Sequence, residues 1–223
     1  KYCDLIGVSF ESSIKYLPKE KTILTGNPCS EDAINKPAIT KTELGLSATK
    51  KLVLITMGSL GSVSVNNFLI KTMSKFEGKD YEVLFITGKD NYAAIKEHKF
   101  PTNVKVIPFY EGLSKVMKRT DLMVSRAGAS TLSEIIALGI PTILIPSPYV
   151  ANNHQYINAL DLIEKDAAIM IEEKNLQENI LIDTIDNVIN DNKKLRTMKD
   201  NLKTLRVEDS ATVIYDRLSE LVK

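Results

Sequence analysis

The first segment that could bind phosphate is residues 57–62, which read MGSLGS directly after an apolar run. Gly58 and Gly61 are three positions apart, a spacing that lets backbone N–H groups approach a phosphate closely. A helix N-terminus after the loop would add a partial positive charge. The segment is neither a complete dinucleotide-binding loop nor a Walker A loop. A tight turn in which Ser62 only caps a helix explains the pattern equally well.

The second segment is residues 125–134, which read SRAGASTLSE. Small residues crowd a predicted strand-to-helix turn, and Glu134 is predicted to fall within the first helical turn. A carboxylate at that place could accept hydrogen bonds from both hydroxyls of a ribose, as acidic residues do in nucleotide sites. Thr131 and Glu134 also match the Thr-x-x-Glu capping box, in which the carboxylate only satisfies a helix N-terminus. Spacing alone favours the capping box.

Two further loops follow predicted strands. Residues 146–155, PSPYVANNHQ, end in polar side chains that could bind a sugar or a phosphate, although Asn152 or Asn153 could simply cap a helix. Residues 108–112, PFYEG, place aromatic rings where they could contact a base or only pack. In a parallel sheet the carboxyl ends of the strands share one edge, where ligands bind. Four such loops at one edge favour a nucleotide-type ligand more than any single loop does.

The composition excludes several classes of function. The chain has 223 residues, with 29 Lys and Arg against 28 Asp and Glu, so its net charge of +1 predicts no nucleic-acid partner. The cysteines, Cys3 and Cys29, are too few for a disulfide framework. The histidines, His98 and His154, make neither a metal cluster nor a Ser–His–Asp triad credible. We therefore expect no metal and no cofactor.

Two properties concern the chain as a whole. No apolar run approaches the roughly 18 residues that a membrane-spanning helix needs. The chain begins at Lys1, with neither an initiator Met nor a signal-peptide pattern, which is typical of a fragment or a processed chain.

Short apolar runs alternate with longer helical patterns along most of the chain. We predict strands at residues 5–10, 23–25, 52–57, 81–87, 104–107, 122–125, 142–145 and 167–171. We predict helices at residues 62–76, 91–97, 113–118, 130–138, 153–164, 176–189, 192–205 and 210–222. The polar residues 30–51 are predicted to be a linker. Continuous apolar strands alternating with helices predict an α/β fold with a doubly wound parallel sheet, which is Rossmann-like.

Three segments together resemble one family of glycosyltransferases. They are residues 125–135, SRAGASTLSEI; residues 139–141, GIP; and residues 153–160, NHQYINAL. They resemble the donor-nucleotide half of the MurG-type UDP-N-acetylglucosamine transferases, which convert lipid I into lipid II in peptidoglycan synthesis. The Gly26-Asn27-Pro28 turn and the loop at residues 58–61 occur in the same order as in that family, so the resemblance covers nearly the whole chain.

The resemblance implies the C-terminal half of a GT-B enzyme, in which two Rossmann-like domains face each other across a cleft. Residues 1–27 would be the end of the N-terminal domain and the hinge. Residues 28–223 would be the UDP-sugar-binding domain with its C-terminal helices. The intact protein would be an inverting hexosyltransferase, peripheral at the cytoplasmic face of the cell membrane, that serves cell shape and division.

The resemblance also implies roles for individual residues. Ser59 would contact the pyrophosphate of UDP-N-acetylglucosamine, the backbone of Tyr110 would read the uracil edge, and Gln155 would hold the sugar hydroxyls. The residues that would wrap the ribose and the α-phosphate are Ala129, Ser130, Thr131, Leu132, Ser133 and Glu134. Among these, Glu134 would accept from the ribose hydroxyls, so the resemblance favours binding over capping.

No catalytic residue is implied within this chain. The family's general base and most of its lipid I site belong to the N-terminal domain, so the fragment is expected to be soluble, to bind donor weakly and to transfer nothing alone. A GT-B enzyme with another lipid acceptor and a non-catalytic nucleotide-sugar-binding subunit both stay open as alternatives.

The sequence departs from the family's pattern at the phosphate-binding positions. Met57, Leu60 and Ser62 replace three residues of the family's glycine loop. After Gly-Asn-Pro, many members have an arginine, whereas this chain has Cys29 and Ser30. An arginine would supply a charge-assisted bidentate contact, and Ser30 is at best a weak substitute. These departures predict weaker binding of the diphosphate.

Overall fold

A computed structural model describes residues 3–222 of the chain. The β-strands are β1 (Ile6–Val8), β2 (Thr22–Leu24), β3 (Lys51–Thr56), β4 (Tyr81–Ile86), β5 (Val104–Ile107), β6 (Leu122–Ser125), β7 (Thr142–Leu144) and β8 (Ala168–Met170). The α-helices are α1 (Cys29–Asn35), α2 (Val63–Thr72), α3 (Lys89–Ile95), α4 (Leu113–Met117), α5 (Ala129–Leu138), α6 (His154–Ile163), α7 (Glu178–Ile189), α8 (Asn192–Thr204) and α9 (Ser210–Leu221). Lys1 and Tyr2, which belong to the predicted hinge region, lie outside the described residues.

The main sheet has six parallel strands in the order β5-β4-β3-β6-β7-β8. Counted from β3, this is the order 3-2-1-4-5-6 of the doubly wound Rossmann fold. The chain winds outward from β3 in one direction, then returns to start β6 on the other side of β3. The predicted fold class is confirmed.

Both faces of this sheet are apolar, as the continuous hydrophobic runs predict. In β3 the side chains alternate, so that Val53 and Ile55 pack under α2 and α7 while Leu52 and Leu54 pack under α4, α5 and α6. All four are fully buried. The helices on the two faces therefore complete two separate cores, one on each side of a single sheet.

The predicted strands of the main sheet are confirmed, with shifts of at most one residue at their ends. The prediction of a linker at residues 30–51 is wrong in its first part, because this region contains helix α1. Ala33 is fully buried where α1 packs against α5. Lys118 donates from its ammonium group to the carbonyls of Ile34 and Lys36, at the C-terminal end of α1. These tertiary contacts, which local composition does not reveal, stabilise the short helix.

Strands β1 and β2 form a separate two-stranded parallel sheet. Ser12, in the 3-10 turn Glu11–Tyr16 between them, donates a hydrogen bond to Asp161 Oδ2 of α6 at 2.5 Å. Gly26 follows β2 with φ +68°, and a Cβ there would lie 2.4 Å from Ser210 Oγ at the start of α9. This small unit is thus attached at both α6 and α9.

Within residues 3–222, no helix is both long enough and apolar enough to cross a membrane.

Candidate functional site

The candidate site lies where the strand order of the main sheet reverses. Strands β3 and β6 are neighbours, and their last residues, Thr56 and Ser125, are paired in register. The glycine loop, which we define as residues 57–62, therefore leaves the sheet beside the turn at residues 126–128. In open α/β sheets, ligands bind at this reversal, outside the carboxyl ends of the strands.

The glycine loop has one open side and one closely packed side. Gly58 has φ +85°, and a Cβ built on it would meet nothing within 4 Å. Gly61 has φ +74°, and a Cβ on it would lie 2.1 Å from the carbonyl oxygen of Thr87. Ser59, between them, is exposed. Since no side chain covers Gly58, a ligand could reach the loop backbone there.

The turn after β4 holds the packed side of the glycine loop. Asn91 Nδ2 donates to the carbonyl of Leu60 at 3.0 Å, and Asn66 Nδ2 donates to the carbonyl of Thr87 at 2.8 Å. Ser62 occupies the N-cap position of α2, where its Oγ accepts from Val65 N at 3.5 Å. The predicted capping role of Ser62 is therefore confirmed, and the phosphate contact of Ser59 stays a prediction.

Helix α5 begins directly after the turn that follows β6. Gly128 is its N-cap residue, and a Cβ on Gly128 would meet nothing within 4 Å. The first-turn N–H groups of a helix have no partner within the helix and attract negative charge. Thr131 is the third residue of the helix, so it cannot be an N-cap. The capping-box interpretation of Thr131 and Glu134 is wrong for this reason.

The six residues predicted to wrap the ribose and the α-phosphate divide into two groups. Ala129 and Ser130 are exposed, and Thr131 is half-buried. Leu132 is fully buried in the core, and Ser133 Oγ donates to the carbonyl of Ala129 at 2.9 Å. A ligand could therefore reach the side chains of the first group, whereas Leu132 is closed to it and the Ser133 hydroxyl has its proton in a bond within the helix.

Glu134, the sixth of these residues, is half-buried between α5 and α1. Burial raises the pKa of its carboxyl above the usual range, Lys36 opposes this rise, and Asp32 adds to it. No hydrogen bond contributes to lowering that pKa. The carboxylate thus keeps its acceptor capacity for hydroxyl groups of a ligand.

Helix α1, which lies mostly in the region predicted to be a linker, contributes residues next to the start of α5. The Cys29 thiol donates to the carbonyl of Ser130 at 3.6 Å. Burial, followed by the charges of Glu134 and Asp32, raises the pKa of this thiol to about 11. Ser30 is buried and its Oγ donates to the carbonyl of Asn27 at 2.7 Å. Since the Ser30 hydroxyl donates its one proton to the Gly26-Asn27-Pro28 turn, it has no second proton to donate to a phosphate.

A cavity of about 280 Å³ opens at the carboxyl ends of β3, β4 and β5. Ser59, Tyr110 and Thr131 line it, so three predicted site residues from three different loops meet there. Phe109 forms part of an apolar wall, with the ammonium of Lys89 4.7 Å from its ring centre. Depressions of about 350 and 500 Å³ lie away from this edge of the sheet. The smaller cavity is the candidate site because it alone of these three holds predicted site residues.

Gln155 lies in the first turn of α6, after the proline-rich loop that follows β7. Its Oε1 accepts from Ser147 N at 2.9 Å, which leaves the NH2 group as the donor available to a ligand. Asn153 is the N-cap residue of α6 but makes no capping bond with its side chain, and its φ is +50°. The capping interpretation is therefore wrong for Asn153. Asn158 of α6 donates to the carbonyl of Ala127 at 3.2 Å, which links this loop to the turn before α5.

Comparison with known proteins identifies relatives along the chain. Residues 52–214 match the glycosyltransferase family 28 C-terminal domain. A Bacillus cereus UDP-N-acetylglucosamine--N-acetylmuramyl-(pentapeptide) pyrophosphoryl-undecaprenol N-acetylglucosamine transferase is 40% identical over 228 residues, which cover 100% of this chain and 63% of the relative. The similarly named Bacillus licheniformis protein is 40% identical over 226 residues, covering 99% of this chain and 62% of the relative. The chain thus spans about three fifths of the length of these relatives.

Solved structures show the same fold at low sequence identity. Acinetobacter baumannii MurG superposes with a TM-score of 0.77 at 20% identity, covering 98% of this chain and 61% of that one. The Neisseria meningitidis UDP-GlcNAc 2-epimerase, solved with UDP-GlcNAc bound, superposes with a TM-score of 0.61 at 13% identity, covering 92% and 57%. The chain therefore has the architecture of the C-terminal half of a GT-B glycosyltransferase.

Proposed function

Because the chain belongs to the glycosyltransferase family 28 C-terminal domain family, we propose that it is the donor-binding half of a UDP-N-acetylglucosamine transferase acting on lipid I. The names of its Bacillus relatives support both the donor and the acceptor. Residues 1–27 would end an N-terminal domain and form the hinge, and residues 28–223 would bind the UDP-sugar.

One observation carries this proposal: Ser59, Tyr110 and Thr131 line one cavity at the reversal point of the sheet. In the proposed complex the Tyr110 backbone reads the uracil edge, and the diphosphate lies between Ser59 and the N-terminus of α5. The ribose hydroxyls donate to Glu134. The NH2 group of Gln155 donates to a hydroxyl of the sugar.

The chemical task of this half is to stabilise the departing UDP and to position the sugar. Negative charge develops on the diphosphate as the glycosidic bond breaks. The N–H groups at the start of α5 and the open backbone at Gly58 are fixed donors at the place where that charge would form. We assign no catalytic residue to this chain, since the general base and most of the acceptor site would belong to the N-terminal domain.

The proposed acceptor also indicates where the intact enzyme works. The relatives' names specify an undecaprenol carrier, which is a long isoprenoid lipid. A lipid of that length remains in a membrane, whereas a UDP-sugar is dissolved in the cytoplasm. The proposed enzyme would therefore act peripherally, at the cytoplasmic face of the cell membrane.

Calorimetric titration of the chain with UDP-GlcNAc, UDP and ADP-glucose tests the proposed function. We expect binding of both uridine nucleotides and none of ADP-glucose. Glu134→Ala should weaken UDP-GlcNAc binding about tenfold or more, because the variant loses two charge-assisted hydrogen bonds to the ribose.

Glu77→Ala is the matched control for this experiment, since Glu77 is an exposed glutamate at the opposite, amino edge of the sheet. It should bind UDP-GlcNAc as the unaltered chain does. Equal binding of uridine and adenine nucleotides, or full affinity in Glu134→Ala, would contradict the proposed site.

A further inference from the structure

We propose that Arg126 is a positioning residue that holds the glycine loop in the geometry for binding donor. This inference rests on the proposed function, because it concerns the same donor site. Arg126 is the first residue of the turn between β6 and α5, and it is 8% exposed. It would act through other residues of the chain and not by touching the donor.

The guanidinium of Arg126 contacts the loops that follow three strands of the main sheet. Its Nη1 donates to the carbonyl of Ile145, directly after β7, at 3.0 Å. Its Nη2 donates to Ser62 Oγ, at the end of the glycine loop, at 2.8 Å. The same Nη2 lies 2.6 Å from Oε2 of Glu173, in the turn after β8. One planar group thus fixes the loops after β3, β7 and β8 relative to one another.

Glu173 explains why Arg126 is not itself the phosphate ligand. The side chains of Arg126 and Glu173 are only 10% and 11% exposed, so their charges neutralise each other away from solvent. The second carboxylate oxygen of Glu173, Oε1, accepts from Ser64 Oγ in α2 at 2.6 Å. The contact of Oε2 with Arg126 is an ion pair and not an aligned hydrogen bond. Removing Arg126 from this pair to bind a phosphate would leave a buried carboxylate unpaired, which is costly.

Ser62 connects Arg126 to the glycine loop. It is one of the three departures from the family's loop, and it both caps α2 and accepts from Arg126. Gly61, beside it, packs against the carbonyl of Thr87 on the opposite side. The loop that presents Ser59 is therefore held from both neighbouring strands. Without Arg126 it would be held from the β4 side alone.

Titration of the chain and three variants with UDP tests this inference at a temperature where all remain folded. Arg126→Lys keeps a charge for Glu173 but loses the planar fork, so we expect Kd to rise about tenfold. Ser62→Ala removes the bond between Arg126 and the loop, and Kd should rise about threefold. Asp186→Asn is the control: it removes the negative charge that pairs with Lys79 at the amino edge of the sheet and keeps an oxygen that can accept from Tyr81. It should lower Tm and leave Kd within about twofold.

The outcomes distinguish a positioning role of Arg126 from a purely structural role and from direct contact with the phosphate. If Arg126→Lys lowers Tm with Kd unchanged, Arg126 is only structural and the inference is overturned. If Arg126→Lys weakens binding but Ser62→Ala does not, Arg126 contacts the phosphate directly, which also overturns it.

Amide hydrogen exchange gives a readout that does not require nucleotide binding. We expect faster exchange at residues 60–64 in both Arg126→Lys and Ser62→Ala, and unchanged exchange there in Asp186→Asn. This result would support the inference that Arg126 holds the loop. Unchanged exchange would refute it. A chain that fails to bind UDP would instead count against the proposed function, and the exchange measurement would still decide the role of Arg126.

Discussion

At the residue scale, Glu134 is the member of the proposed site whose burial lowers the stability of the folded chain. Its carboxylate is half-buried, close to Asp32, and its pKa is raised above the usual range. A raised pKa means that the folded chain binds the proton more tightly than the unfolded chain does. The contribution of Glu134 to stability therefore falls as the pH rises from the ordinary glutamate pKa through the raised value. Stability given up at one side chain is a recurrent property of binding sites.

The substitution Glu134→Gln should therefore stabilise the chain at pH 7. The amide keeps the shape of the side chain and removes the desolvated charge. We expect Tm at pH 7 to rise by about 2 °C, a shift that corresponds to less than about 1 kcal/mol for a chain of this size. Towards pH 4 the difference should vanish, because the carboxyl of the unaltered chain is then protonated. Thermal unfolding of both proteins between pH 4 and pH 8 measures this.

Glu77→Gln is the control for this pH series, since Glu77 is exposed. It should leave Tm unchanged across the range. If Glu134→Gln lowered Tm at pH 7, then the carboxylate would be making a stabilising contact in the folded chain, and the argument from burial would be wrong.

At the scale of elements, the glycine loop shows two different uses of glycine. Both Gly58 and Gly61 have positive φ, which an L-residue adopts at a cost. Only Gly61 also packs against another part of the chain, since a Cβ built on it would lie 2.1 Å from the carbonyl oxygen of Thr87, directly after β4. One glycine is therefore needed for conformation and the other for conformation and packing.

Alanine at the two positions should accordingly have unequal effects. Gly58→Ala should lower the free energy of unfolding by about 1–2 kcal/mol, the cost of the left-handed conformation alone. Gly61→Ala should lower it by about 1–3 kcal/mol more, because the backbone at Thr87 must also move. Urea unfolding of both variants measures the difference between their free energies of unfolding. The cost of the left-handed conformation is common to both variants and cancels in this difference. Equal losses would mean that the loop relaxes away from Thr87 freely.

Helix α1 adds side chains to the candidate site that the predicted linker would not have positioned there. It brings Cys29, Asp32 and Lys36 to one side of Glu134 and so sets the charge around that carboxylate. Its sequence is polar and short, and local propensity does not favour a helix of seven residues in water. Packing against α5 and the capping of its C-terminal end by Lys118 provide what the local sequence lacks.

At the scale of the whole molecule, one helix surface and one small sheet stand out. On α9, Tyr215, Leu218 and Leu221 are 70%, 54% and 52% exposed. The sheet of β1 and β2 has only two strands, and two-stranded sheets are marginal by themselves. The small size of this sheet supports the proposed division, in which residues 1–27 belong with an N-terminal domain.

We expect this chain alone to bind donor and to transfer no sugar. The chain covers 63% of its Bacillus cereus relative, and the general base and acceptor site would lie in the remaining part. The measurement is formation of lipid II from lipid I and labelled UDP-GlcNAc, with the full-length Bacillus cereus relative assayed in parallel to show that the conditions support transfer. Product from this chain alone would place catalytic groups within it and contradict the assignment.

The sequence by itself determined the strands, the doubly wound class and the loops that could carry a ligand. Apolar runs and glycine turns are local signals, so they can be read without knowing what packs against them. The tertiary structure decided which of the loops meet: Ser59, Tyr110 and Thr131 share a cavity because the loops after β3, β5 and β6 leave the same edge of one sheet. It also decided the start of α5, the existence of α1 and the partners of Arg126. These depend on contacts between residues far apart along the chain, and only the folded packing brings such residues together.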